Sequence, residues 1–183
     1  MRQLLASAVA AALLHISPTV ILVKRPEAVQ QLLPGADRFL ARELHLSAHD
    51  AHRLHEVVDW SPEDGVLTFF VGKEAGKDVG TLEFVRVDTP HGPLEVAVGF
   101  TPERTVRGVI VTKATVESKP WVLAALQAGL TEHYRGLKLA DAPGGAAAIK
   151  NRIADLPAYM AQEVDKGVAR ALVAYRDFYR SAN

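Results

Sequence analysis

Residues 66–115 read VLTFFVGKEAGKDVGTLEFVRVDTPHGPLEVAVGFTPERTVRGVIVTKAT, and this stretch decides the fold. Val66–Val71 is aromatic and branched, Val79–Val87 alternates, and Leu94, Val96, Val98 and Phe100 alternate strictly. Thr105–Thr115 adds Val106, Val109, Ile110 and Val111. Period-two patterning with branched residues is the strand signal. Gly76-Lys77-Asp78, Pro90-His91-Gly92-Pro93 and Thr101-Pro102-Glu103-Arg104 separate the runs with turn chemistry. Four strands on short connections predict an antiparallel meander, because parallel crossovers need a dozen or more residues. Gly80 within its run predicts a bulge or a close backbone approach.

Working outward, Arg38–Leu46 reads as a further strand and Glu27–Leu33 as a short helix ended by Pro34-Gly35. Ser47 caps a helix with Asp50 three residues on, and Leu54, Val57 and Val58 supply its inner face. Beyond the meander, Lys119–Tyr134 reads as one helix, Ala140–Ala148 as a Gly-rich loop, and Pro157–Tyr179 as one long closing helix. The expected class is α+β: a twisted antiparallel sheet flanked by helices, forming a single domain over residues 24–183.

The N-terminus carries Arg2 and then the apolar run Leu4–Leu14, the pattern of an export signal. Counted to Val23 the stretch reaches 20 residues, about a membrane span. No A-x-A cleavage pattern follows the run. A signal peptide over residues 1–23, an uncleaved anchor, and an ordinary buried helix or strand all stay open. The first two place the domain outside the cytoplasm, periplasmic or membrane-anchored.

Composition narrows the chemistry. Lys+Arg and Asp+Glu are both 21, so net charge is zero and no nucleic-acid footprint is expected. The chain has no cysteine, which excludes disulfides, thiol catalysis and Cys-ligated metals. G-x-S-x-G, the Walker loop, G-x-G-x-x-G and His-Glu-x-x-His are all missing. His45, His49, His52 and His55 cluster, and helical spacing gives His49–His52 and His52–His55 as metal pairs, against the plainer reading of a solvated helix face.

Three stretches resemble the FMN-binding domain family, which includes flavin subunits of ion-pumping redox complexes and small exported flavoproteins. They are Gln31–His55 with its Leu33-Pro34-Gly35-Ala36 turn, Phe69–Gly80, and Leu94–Val111. The resemblance implies FMN, electron transfer and a redox partner protein, with Thr115 and Glu117 contacting the ring or ribityl chain and Ser118 standing where the family has threonine. The family often attaches its flavin through a threonine before the last helix. Here the two registers over that motif give Leu156–Ala161, with Ala158 at the acceptor, or Gly144–Ala147, and no Ser or Thr occurs between Thr131 and Ser181. A phosphoester needs a hydroxyl, so any FMN is held non-covalently. Backbone N–H groups at Gly144-Gly145, ahead of Lys150 and Arg152, are candidates for its phosphate. Trp121, Tyr134 and Tyr159 are candidates to line a slot for its ring. The competing expectation is a flavin-free member serving as a binding or structural module, because Leu156–Ala161 reads as helix where the acceptor loop belongs.

Overall fold

The computed structural model describes residues 17–179. Leu4–Leu14, the core of the export reading, lies outside the described residues. The class is α+β, with six antiparallel strands in the order β1-β6-β5-β4-β3-β2 and helices on both faces. Strands β2 (Arg38–His45), β3 (Val66–Glu74), β4 (Lys77–Val87), β5 (Leu94–Phe100) and β6 (Val106–Thr115) form a continuous meander. The expected meander thus takes in the preceding strand as a fifth member.

Strand β1 (Thr19–Ile21) pairs with the outer edge of β6, Thr19 opposite Thr115 and Ile21 opposite Lys113. This corrects the count that ran the hydrophobic segment to Val23. Val20 and its neighbours belong to the sheet, and the N–H groups of Leu22 and Val23 both donate to Thr112 O. The sheet therefore begins before Lys24, and no described helix is long and apolar enough to cross a membrane.

Alternation divides the sheet into two unlike faces. Leu67, Phe69, Val71, Val85, Val87, Val96, Val98 and Phe100 point to one side. Helix α2 (Ala48–Val58) and the long α5 (Asp155–Ala174) cover it, with α3 (Lys119–Gln127) packed on α5. A π turn, Tyr175–Tyr179, ends α5 and adds a stack: Phe100 lies 4.3 Å from Tyr175, and Tyr175 lies 4.8 Å from Tyr179. Glu83 points into this side, buried, and desolvation pushes its carboxyl well above the usual range. Among the described residues the opposite face receives only the short α1 (Arg25–Leu32), whose Ala28 and Leu32, with Leu33, meet Leu82 and Ala97.

Three local expectations change. The helix expected over Lys119–Tyr134 breaks, because Gly129 adopts a left-handed φ of 88° and Leu130–Tyr134 continues as a 3-10 helix. The expected loop Ala140–Ala148 gives way at Gly145 to the short α4 (Gly145–Ile149), which buries Ala146 and Ile149. Val57 faces solvent, leaving Leu54 as the buried residue of α2. The Ser47 cap forms as the sequence predicts, its Oγ accepting from Asp50 N at 3.1 Å. Gly80 meets both expectations. The β3–β4 register shifts beside it, and a Cβ there would sit 2.6 Å from Phe100 O.

Candidate functional site

The β4–β5 turn, the end of β6 and the first turn of α5 meet at one corner. Continuing the Glu95–Lys113 register four residues outward sets His91 opposite Glu117. The two join there, His91 Nδ1 to Glu117 Oε1 at 2.8 Å, with side chains 28% and 41% exposed. Trp121 meets the imidazole edge-on at 4.9 Å and Tyr159 at 6.0 Å. Burial, and then the neighbouring Glu163 carboxylate as a charge and as a hydrogen-bond acceptor, push the Tyr159 phenol up, so its proton stays on and is given to Glu163. With Nδ1 committed to Glu117, His91 keeps Nε2 for a ligand. Of the predicted site residues, Glu117, Trp121 and Tyr159 come together here. His91 is the member that sequence reasoning missed, having appeared only as part of a turn.

Thr115 and Ser118 stand beside the corner but face inward. Thr115 Oγ1 donates to His91 O at 2.8 Å, and the two hydroxyls lie 2.8 Å apart. Ser118 N donates to Thr115 Oγ1 and Thr115 N to Ser118 Oγ, each at 3.1 Å. Both residues are buried. This closed set fastens the β6–α3 turn and holds the His91 backbone, so the two hydroxyls position the corner and do not line it.

The Gly144-Gly145 turn is occupied by the protein itself. Gly145 N and Ala146 N donate to the two Asp165 carboxylate oxygens at 3.1 Å each, and Tyr134 O–H donates to Oδ1 at 2.6 Å. Asp165 therefore takes the place read for a phosphate. Tyr134 is fully buried, and burial followed by the Asp165 charge raises its phenol far above the ordinary range. It is a core residue, not a wall of a ring slot. Arg152 Nη1 is also engaged, donating to Ala128 O at 2.9 Å. Leu156–Ala161 forms the first turns of α5, as the sequence reading of that stretch as helix expects.

The histidine cluster divides among carboxylates. His49 is 3.8 Å from Asp50, His52 3.3 Å from Glu56 and His55 3.7 Å from Asp59, all on the solvated side of α2, while His45 ends β2. Among the described residues no group of three metal-capable side chains occurs.

On the α1 side of the sheet an open groove of about 870 Å³ runs past Arg25, Phe70, Phe84 and Glu95. Arg25, Thr112 and Lys113 all donate to the Glu95 carboxylate. Burial opposes its charge, but these bonds win and bring its pKa down to about 2. None of the predicted site residues lines this groove.

No family model and no curated protein matches the chain.

Proposed function

We propose that this is an extracytoplasmic FMN-binding-domain protein of electron transfer, its flavin held non-covalently with the isoalloxazine ring at the His91 corner. The observation that carries the reading is the convergence of Trp121, His91 and Tyr159 beside Glu117 at an open edge of the sheet. Aromatic walls suit a flat conjugated ring, and His91 Nε2 supplies a hydrogen-bonding group for its polar edge. FMN, when bound, supplies the redox step, and the chain's own groups set its potential. The electron then passes to a redox partner protein, membrane-bound in this reading. The order of elements and the resemblance in Gln31–His55, Phe69–Gly80 and Leu94–Val111 support the family.

A second reading is favoured by Asp165. A fold that fills its glycine turn with its own carboxylate, and closes Thr115 on Ser118, has the features of a flavin-free interaction module. The test is the visible spectrum after FMN addition and gel filtration. A band that co-elutes, is released by acid and is lost in His91→Ala with Trp121→Ala supports the flavin carrier. Colourless protein, with FMN wholly in the small-molecule fraction, sinks it in favour of the second reading.

A further inference from the structure

The two edges of the sheet are unlike. Strand β1 is three residues long. Strand β2 is eight residues long, pairs with β3 without a register shift, and contains neither proline nor lysine. Among the described residues no strand lies on its outer side. Shortness, proline, lysine and bulges are the usual devices that keep a sheet edge from pairing with another chain. Strand β2 has none of these four.

Its exposed apolar residues lie on both faces of the sheet. Phe39 pairs with Gly72 and Ala41 with Phe70, so they stand on the α1 side. Leu40 pairs with Val71 and stands on the helix side. Phe39 is 43% and Leu40 44% exposed. An element laid on either face would cover one of the two, whereas a strand added along the edge covers both. The peptide groups suit such an addition. Leu46 N donates to Gly65 O, one step beyond the His45–Val66 pair. By alternation Phe39, Ala41 and Glu43 turn their N–H and C=O groups to the open edge. The Arg42 guanidinium is turned back over its own chain, 5.0 Å from the Tyr179 ring.

We propose that β2 pairs antiparallel with β2 of a second copy of this chain, about a two-fold axis at Ala41, so that one sheet runs through both copies. Charge selects the register. Only registers centred on Ala41 or Arg42 pair all but one of the eight residues of the strand. Centring on Arg42 sets two arginines directly opposite, which repels. Centring on Ala41 sets Leu40 opposite Arg42 of the second copy and Phe39 opposite its Glu43, with no like charges facing. The aliphatic stems of Arg42 and Glu43 then cover the two exposed apolar side chains. A net charge of zero leaves no long-range repulsion between copies. The contact is isologous, so it closes at two copies. Strand β2 ends at the same end of the sheet as the His91 corner, and the two-fold axis directs the two corners to opposite ends.

The experiment uses the full chain, whose lack of cysteine allows a single thiol to be placed at will. Sedimentation equilibrium is expected to give twice the chain mass, falling toward the monomer on dilution. Ala41→Lys sets two lysines opposite at the axis and is expected to weaken the dimer at least tenfold, with the circular dichroism spectrum unchanged. Mild oxidation should cross-link Ala41→Cys, because paired Cα atoms there are about 5.5 Å apart, within disulfide reach. Arg38→Cys should not cross-link, since its two copies lie about 20 Å apart in this register. A chain that stays monomeric at about 0.5 mM overturns the proposal. A dimer indifferent to Ala41→Lys, or cross-linking as readily through Arg38→Cys as through Ala41→Cys, overturns it through the edge. None of these readouts depends on flavin, so the flavin reading stands or falls separately.

Discussion

The His91 corner and the Gly144-Gly145 turn hold the same kinds of group and do opposite things with them. Each has backbone N–H donors, an aromatic residue and a carboxylate within a few ångströms. At the turn, Asp165 reaches back from α5 and takes Gly145 N, Ala146 N and the Tyr134 hydroxyl, so every donor is spent on the fold. At the corner, the donors are spent one layer down, in Thr115 and Ser118, and the outer layer of His91, Glu117, Trp121 and Tyr159 stays partly exposed. A carboxylate buried against donors is structure, and a carboxylate paired at a partly exposed corner leaves room for the proposed site. Burial and partner count separate the two where residue type does not.

Removing Asp165 strains that contrast most. Asp165→Ala leaves two backbone donors and the buried Tyr134 hydroxyl without partners, at about 1–3 kcal/mol each, and is expected to cost 3 kcal/mol or more in urea unfolding. If the turn is an anion cradle that the protein fills itself, inorganic phosphate should raise the melting temperature of this variant and leave the parent unchanged. Phosphate without effect on either would remove the likeness between the two regions.

Next in size is the support of the corner. Gly92 holds a left-handed φ of 88°, and a Cβ there collides with the Thr115 methyl. Gly92→Ala is expected to lose about 2 kcal/mol of stability, combining backbone strain with the clash. It should also displace His91 from Glu117, read as a changed His91 imidazole NMR shift.

The smallest stability effect belongs to the open layer. His91→Ala and Glu117→Gln should each change stability by no more than about 0.5–1 kcal/mol, as for a partly exposed pair. If they instead weaken FMN retention, the corner earns its reading as a site. A stability loss as large as that of Asp165→Ala would make the corner structural too.

Much of the frame is legible in the sequence because period-two alternation and turn residues are local signals. They place β3 to β6 within a few residues, and Ser47 with Asp50 places the start of α2. What escapes depends on pairing. Strand β1 is three residues long and carries no alternation of its own, so only β6 reveals it. His91 meets Glu117 through the register of the β5–β6 hairpin, which two shifts reset, at Glu95/Val96 and at Gly99/Phe100. Asp165 looks like an ordinary solvated helix position until α4 is laid against α5. Gly129 sits among good helix formers, where the apolar pattern carries across it and the backbone does not.

Glu83 makes this fold a proton-binding one. The group is buried without an ion pair and holds its proton well above the pH at which the unfolded chain releases it. Between those two values folding takes up a proton, so this residue's contribution to stability is complete below pH 4.5 and declines as pH rises toward its folded value. Glu95 works in the other sense, its contribution present above pH 4.5 and lost as pH falls toward about 2. The two carboxylates lie on opposite faces of the sheet, and their contributions run in opposite senses with pH.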